Sequence, residues 1–208
     1  MPIEHRVRQG ETVTSIAARH GLTPARVWDD PANASLKKQR GDANILFPGD
    51  VVVVPEKETK EEGGAVEQRH RFRTHRGTTS LRLVLHDEVD APIADQPCTL
   101  VVGERSFKLT TDGDGLIAQV IPVGEETGSL LLGEQVLPLR IGHLDPLTEV
   151  SGQRARLNNL GYHAGEADGA EDPDFLSAVE EFQCDHRLTV DGKCGPKTQA
   201  KLKDIHGC

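Results

Sequence analysis

Val150 to Leu202 reads VSGQRARLNNLGYHAGEADGAEDPDFLSAVEEFQCDHRLTVDGKCGPKTQAKL, and this stretch predicts three short helices joined by glycine-bearing turns. Thr148 is the predicted N-cap of the first helix, because a threonine hydroxyl can accept from the free N–H groups of a helix start. Leu157 and Leu160 lie i, i+3 on one face. Gly161 is the predicted end of the helix, since glycine tolerates the positive φ of a C-terminal turn.

The second and third helices begin with similar signals. Asp172-Pro173 is a cap followed by a first-turn proline, and the apolar residues behind it form one buried stripe at i, i+4 and i+7: Phe175, Val179 and Phe182. Gly195-Pro196 opens the third helix, which Gly207 ends. Each of these two helices is preceded by a tight Asp-Gly turn, Asp168-Gly169 and Asp191-Gly192.

This order of residues resembles the peptidoglycan-binding domain of type 1, a three-helix module attached to many cell-wall hydrolases. The matching residues are Leu160-Gly161-Tyr162, Asp168-Gly169, Ala178 to Gln183 and Leu188 to Thr198. The resemblance implies that a shallow groove binds a muropeptide or glycan, with Tyr162, Asp168 and Asp191 as binding residues and Phe182 as core support. The sequence departs from the family at Asp172 and Phe175, where the family usually has a glycine and a threonine.

Residues His5 to Pro55 predict the order strand, helix, helix, strand. Arg6-Val7-Arg8 is the first predicted strand, and the β-branched run Val51 to Val54 is the second. Thr12 caps the first predicted helix, and Thr23-Pro24 begins the other. These four elements predict a two-stranded sheet covered by two helices.

This segment resembles the LysM domain, which binds glycans that contain N-acetylglucosamine. The matching residues are Val7 to Val13, Ile16-Ala17, Gly21 and Asn44 to Pro55. The resemblance implies that the sugar lies between two loops, and the expected binding residues are Gly10, Glu11, Thr12, Val13, Asn44, Ile45 and Leu46. Asp29 to Arg40 is longer than usual, and it either lies across the glycan groove or binds something else. The alternative for the segment is a LysM fold that docks a protein.

Ser80 to Asp145 predicts an all-β sandwich of six or seven short strands, because turn signals recur at short intervals. It resembles the transthyretin-like or carboxypeptidase-regulatory sandwich in Pro92-Ile93 and in Thr111 to Gly115. Asp112 and Asp114 have the spacing of calcium ligands, but the further acidic ligands of an EF-hand loop are missing. We therefore expect a plain hairpin turn there and no metal.

The fold class that follows is multidomain α+β. The predicted modules are a LysM-like βααβ domain at 1–56, a charged linker at 57–79, an all-β sandwich at 80–145 and a three-helix peptidoglycan-binding-like domain at 146–208. The linker contains His70 and His75 among arginines, which predicts a solvated basic strap. The 11 acidic and 4 basic residues of 80–145 support a boundary near residue 79.

Composition excludes several classes of protein. A net charge of −9 disfavours nucleic acid as a partner. No run approaches the ~18–20 apolar residues that a membrane span needs. The start lacks the apolar core of a signal peptide, so we expect synthesis in a bacterial cytoplasm. The candidate disulfides are Cys184–Cys194 and Cys194–Cys208, but free thiols are favoured in that compartment.

No catalytic group can be assembled from the sequence, and no cofactor is expected. The G-x-S-x-G and H-E-x-x-H motifs are missing, and the histidines His143, His163, His186 and His206 are scattered over turns and ends. Lytic glycosidases use a carboxyl group with a raised pKa in a cleft larger than modules of this size offer. We therefore expect a protein that is not an enzyme.

The module order, with Ile141 to Pro146 leading into the last module, resembles small accessory proteins of bacterial type VI secretion and related phage-tail-like systems. The first hypothesis is a non-catalytic protein that binds peptidoglycan and is delivered to the periplasm or outside by a contractile apparatus. The second is an adaptor or structural piece of a secretion spike, which binds an effector or tail protein instead of glycan. The third is a cell-wall hydrolase.

Overall fold

A computed structural model describes residues 1–58, 63–71, 77–87, 89, 91–166 and 169–207. Its contacts divide the chain into two compact units. The first unit consists of Met1–Asn44 and Gly49–His143, and the second consists of Ile45–Pro48 and Leu144–Cys208. Within the described residues, every helix is too short or too polar to traverse a bilayer.

The N-terminal part of the first unit is a two-stranded antiparallel sheet with helices between its strands. The elements in order are β1 (Ile3–Arg6), α1 (Val13–Arg19), α2 (Pro24–Trp28) and β2 (Val51–Val54), with Ile3 opposite Val54. The side chains of Thr12 and Thr23 cap α1 and α2 as predicted. The first strand ends at Arg6, earlier than the predicted Arg6-Val7-Arg8. The backbone of Val7 bonds instead to Asp50 and Gly49, which lie in the turn before β2.

The segment between α2 and β2 holds two elements that the sequence analysis missed, so the prediction of four elements was incomplete. They are a 3₁₀ helix at Pro31–Asn33 and α3 at Ala34–Arg40. The side-chain amide of Asn33, 1% exposed, bonds to the carbonyls of Val27 and Val53 and to the N–H of Val53. Arg40 forms two hydrogen bonds with Asp50, so both ends of the segment are fixed to β2 or its turn.

Six strands in two antiparallel sheets form the predicted sandwich. The strands are β3 (Thr78–Val84), β4 (Pro97–Val102), β5 (Arg105–Thr110), β6 (Leu116–Pro122), β7 (Thr127–Leu132) and β8 (Gln135–Arg140). One sheet has the order β3-β6, and the other has the order β5-β4-β7-β8. Both contribute to one core, in which the buried residues are Cys98, Leu100, Val102, Ile117, Ile121 and Leu130.

The turn at Asp112 is not the hairpin turn that the sequence predicted. It joins β5 to β6, which belong to different sheets and do not pair. The N–H of Asp112 bonds to the carbonyl of Leu116, and its side-chain Oδ1 accepts from Asp114 and Leu116. The aspartate therefore closes a tight loop that carries the chain from one layer to the other.

The second unit contains the three predicted helices: α4 (Val150–Asn159), α5 (Pro173–Asp185) and α6 (Pro196–His206). Their buried core consists of Leu157, Ala164, Phe175, Ala178, Val179, Phe182 and Leu202. Asp172 caps α5, and Gly207 ends α6 with a φ of +87°. The N-cap of α4 is Glu149, so the prediction that Thr148 caps this helix was wrong. A turn from Pro146 to Glu149 delays the helix start by one residue.

The chain leading into α4 is packed closely against that helix. A methyl group at Gly152 would overlap the carbonyl oxygen of Pro146, so only glycine permits this approach. Asp145 accepts from the hydroxyl of Ser151 through its carboxylate and from Arg156 through its carbonyl. The Asp145-Pro146 turn is thereby fixed to the start of the helical unit.

Candidate glycan-binding sites

Gly10–Val13, hereafter the N-terminal loop, ends the connection from β1 to α1 and includes the first residue of that helix. Its own residues fix its shape. Gly10 has a φ of +85°, which favours glycine. The N–H of Glu11 bonds to the carbonyl of Arg8 and closes the turn. Thr12 then accepts from the N–H of Ser15, while the hydroxyl of Ser15 accepts from the N–H of Thr12. The loop is therefore ordered before any ligand arrives.

The carboxylate of Glu11 supports this loop from inside. It is buried and accepts from His5, from the N–H of Arg8 and from Arg19, at 2.7, 3.0 and 2.6 Å. Burial alone would raise the pKa of Glu11, but the hydrogen bonds from His5, Arg8 and Arg19 outweigh it and lower the pKa to about 2. We therefore assign Glu11 the role of positioning the loop, and direct contact with a sugar stays a prediction.

Asn44 lies beside the N-terminal loop. The N–H of Val13 bonds to the carbonyl of Ala43 at 2.9 Å, and the hydroxyl of Thr14 donates to Oδ1 of Asn44 at 2.8 Å. The structure thus brings five of the predicted residues together, and of these Val13 is buried and Asn44 is exposed. The other two, Ile45 and Leu46, are grouped with the second unit, where Ile45 is partly exposed and Leu46 is buried.

Tyr162 belongs to a cluster of polar and aromatic side chains in the second unit. Its hydroxyl donates to Asp185 at 3.1 Å and lies 3.5 Å from Nε2 of His186. Its ring packs edge-on against Phe182, with centroids 5.5 Å apart. His186 also contacts Phe182, at a centroid distance of 4.4 Å. Phe182 is therefore the core support that was predicted, and Asp185 and His186 are neighbours that the sequence analysis missed.

Asp191 stabilises the turn before α6 through a buried partner. Its Oδ1 accepts from the N–H of Lys193 and from Nε2 of Gln183, and these bonds lower its pKa. Gln183 is 1% exposed and also bonds to Gly192, Lys193 and Thr198. Gln183 thus organises the turn, a role that its place in the Phe-Gln motif did not reveal. Asp168, the third residue predicted in this module, lies outside the described residues.

The two departures from the family pattern, Asp172 and Phe175, are linked by one buried arginine. The guanidinium of Arg154, which has no exposed surface, bonds to the carboxylate of Asp172 and lies 5.4 Å from the centre of the Phe175 ring. The hydrogen bond from Arg154, followed by that from the N–H of Phe175, lowers the pKa of Asp172. The two residues that depart from the family pattern therefore pack together, because Arg154 contacts both the carboxylate of Asp172 and the ring of Phe175.

The described residues show no group of three or more histidine, cysteine, aspartate or glutamate side chains that could hold a metal ion. Cys184 and Cys194 are free thiols, so the disulfide considered between them is not formed. Cys208 lies outside the described residues. Burial, together with the charge of Glu171, raises the pKa of Cys194 to about 12.

The two ends of the chain match known families of binding domains. Residues 5–55 match the family model described as "LysM domain", and residues 148–202 match the one described as "Putative peptidoglycan binding domain". These matches confirm the predictions made for both ends. For the β-sandwich between them, the predicted resemblance to transthyretin-like domains stays a prediction.

Whole-chain comparisons add little. No curated protein matches the chain. A solved structure that matches is the crystal structure of a periplasmic domain of the EpsAB fusion protein of the Vibrio vulnificus type II secretion system. It is 18% identical, with a TM-score of 0.24, and the match covers 62% of this chain and 64% of that one, less than two thirds of its length. A similarity this low supports no conclusion about fold or function.

Proposed function

We propose that the protein is a non-catalytic binding protein that recognises peptidoglycan through the modules at its two ends. The observation that carries the proposal is the match of both ends to families of binding domains, LysM and peptidoglycan-binding. The expected ligands are a glycan that contains N-acetylglucosamine for the N-terminal loop and a muropeptide or glycan for the Tyr162 cluster.

A polymeric ligand suits two weak sites on one chain. Peptidoglycan repeats its units, so the second site binds from a raised effective concentration once the first is occupied. Loops fixed before binding favour such contacts, because less conformational entropy is lost on association. The capped N-terminal loop and the Gln183-supported turn both have this property.

Sedimentation with purified peptidoglycan sacculi tests the proposal in the full-length protein. We expect Asn44→Ala and Tyr162→Ala each to lower the fraction of protein that sediments, and the double variant to lower apparent affinity by about tenfold or more as avidity is lost. Ser106→Ala is the matched control, because Ser106 is exposed on β5 of the sandwich, outside both proposed sites. Tyr162→Phe keeps the ring and removes the hydroxyl, so it distinguishes the contributions of the two groups to binding. Sedimentation of the double variant at the wild-type level would contradict glycan binding at these two positions.

We further infer that the protein is an accessory of a type VI or phage-tail-like secretion apparatus, which delivers it to the periplasm or outside the cell. The order of a LysM-like module, a sandwich and a peptidoglycan-binding module supports this inference. Comparing culture supernatants of the parent bacterium and a strain that cannot contract its sheath tests it. Equal amounts of the protein in both supernatants would argue against delivery by this route.

An adaptor that binds a spike or effector protein is the second candidate, and the sandwich favours it. Among the described strands, β8 pairs with β7 alone, and Val136 on β8 is 60% exposed. An open edge of this kind can accept a strand from another protein. Co-purification with a purified spike or effector protein, without sedimentation on sacculi, would favour the adaptor. A clearing band in a gel that contains sacculi would instead support a cell-wall hydrolase.

A further inference from the structure

Two residues that follow the sandwich lie on the N-terminal loop, and all of these residues belong to the first unit. The side-chain amide of Gln9 donates to the carbonyl of His143 at 3.1 Å. A methyl group at Gly142 would lie 2.7 Å from the carbonyl oxygen of Gly10 and 3.5 Å from Cγ2 of Thr12. Gly142 and His143, hereafter the covering segment, thus approach the backbone to which sugar binding was predicted.

The imidazole ring of His143 lies directly over Gly10. A methyl group at Gly10 would lie 2.9 Å from Nε2 and 3.4 Å from Cδ2 and Cε1 of that ring. The φ of Gly10 favours glycine, and a larger residue there would also have to displace the His143 ring. A flat ring against a glycine-bearing loop occupies the kind of surface that a pyranose ring would need.

The sandwich holds the residue before the covering segment, whereas the N-terminal loop contacts the segment itself. The N–H of Ile141, the residue before it, bonds to the carbonyl of Glu126 at 2.9 Å, and Gly142 then turns with a φ of +77°. On the loop side, the carbonyl of His143 accepts a hydrogen bond from Gln9, which is exposed, and Gly142 and the His143 ring pack against Gly10. Contacts of this kind are weak enough for a ligand to displace.

We propose that the covering segment is an internal occupant of the N-terminal loop, which competes with oligomers of N-acetylglucosamine for Gly10 and its neighbours. The inference rests on the proposed glycan binding by this loop. A site that is free only part of the time binds with an affinity reduced by the free fraction. The loop therefore binds glycan weakly until Gly142 and His143 withdraw.

Calorimetric titration of the full-length protein with the N-acetylglucosamine tetramer tests the proposal. We expect His143→Ala to bind about fivefold more tightly than wild type, because the ring no longer covers Gly10. Gln9→Ala/His143→Ala removes the hydrogen bond as well, and we expect it to bind at least as tightly as the single variant. His70→Ala is the matched control, since His70 is exposed in the linker outside both proposed sites, and its affinity should equal that of wild type.

The outcomes separate this inference from the function on which it rests. Equal or weaker binding by both His143 variants, with clear binding by wild type, would overturn the covering role alone. Absence of binding in every variant would overturn glycan binding by the loop and the covering role together. The amide NMR signal of Gly10 in the unliganded protein is a second readout. It should shift in His143→Ala and stay in place in His70→Ala.

Discussion

The carboxylate of Glu11 lies 2.6 Å from the guanidinium of Arg19, eight residues further along the chain. The pair joins the N-terminal loop to the last turn of α1, and its two members differ in exposure, because the side chain of Glu11 is 4% exposed and that of Arg19 is 54% exposed. His5 on β1 bonds to the other carboxylate oxygen. One buried charge therefore holds a strand, a loop and a helix together.

Glu11→Gln should destabilise the N-terminal part of the first unit. The amide keeps the shape of the side chain but removes the charge that His5 and Arg19 face, and we expect a loss of about 1–3 kcal/mol. Urea unfolding followed by the fluorescence of Trp28, the one tryptophan of the chain, reports on this region. Glu4→Gln on β1 is the control, because Glu4 is exposed. Equal midpoints for both variants would contradict the structural role of Glu11.

The same carboxylate predicts an acid-sensitive fold. Its pKa is lowered from 4.5 to about 2, so the unfolded chain binds the proton more readily than the folded one. Its contribution to stability is present above about pH 4.5 and is lost as the pH falls towards about 2, to a total of up to about 3 kcal/mol. Trp28 unfolding curves measured across this range should show the loss, and Glu11→Gln should flatten it. A wild-type curve that is no steeper than that of the variant would argue against the assigned pKa.

Local signals in the sequence were enough to predict most of the helix boundaries. Thr12, Thr23 and Asp172 cap their helices because a cap bonds within three residues of itself, a distance that the sequence displays directly. Gly161 and Gly207 follow helices at positive φ for an equally local reason. The alternating leucines of β3 likewise faced the core, and Leu81 and Leu83 pack against it.

Contacts between distant residues could not be predicted. Thr148 was expected to cap α4, but the docking of Pro146 on Gly152 sets the helix start, and that approach is visible only in three dimensions. Arg154 forms an ion pair with Asp172, which lies eighteen positions further along the chain, and no periodicity of the sequence indicates such a pair. The covering of Gly10 by His143 spans an even longer separation.

Gln183→Ala should loosen the turn that carries Asp191. The variant loses bonds to the N–H groups of Asp191 and Gly192 and to the hydroxyl of Thr198, and it leaves a cavity, so we expect a loss of about 2–4 kcal/mol. The NMR signals of Tyr162, the one tyrosine, follow unfolding of the helical unit in urea.

Gln183→Glu sharpens this prediction, because it keeps the acceptor but places a second carboxylate against Asp191. It should destabilise the unit at neutral pH and recover as the pH is lowered. Glu181→Gln, at an exposed position of α5, is the control. A harmless Gln183→Glu would show that the donated bond to Asp191 contributes little.

The cysteines should differ in their reactivity towards iodoacetamide in the folded protein. Cys184 is exposed, whereas burial raises the pKa of the Cys98 and Cys194 thiols, the latter to about 12. Because the thiolate is the reacting form, we expect Cys184 to be alkylated at least about tenfold faster at pH 8. Peptide mass spectrometry over a time course measures each rate, and unfolding in urea should equalise them. Comparable rates in the folded protein would contradict the burial of Cys98 and Cys194.

His206 should make the helical unit sensitive to a milder acid range than the N-terminal region. Burial, and then the charge of Arg156, lowers the pKa of His206 from 6.5 to about 4, while its Nε2 lies 3.0 Å from the side-chain amide of Asn159. Since the unfolded chain takes up the proton first, stability should fall as the pH drops from about 6.5 to about 4, by at most about 3 kcal/mol. Urea unfolding monitored by Tyr162 should show this slope, His206→Ala should remove it, and His163→Ala should leave it unchanged.

The unfolding curves followed by Trp28 should depend less on pH until the pH falls below about 4.5, where Glu11 begins to titrate. If Trp28 and Tyr162 gave the same pH profile, the assignment of the two acid responses would be contradicted, that of Glu11 to the first unit and that of His206 to the second.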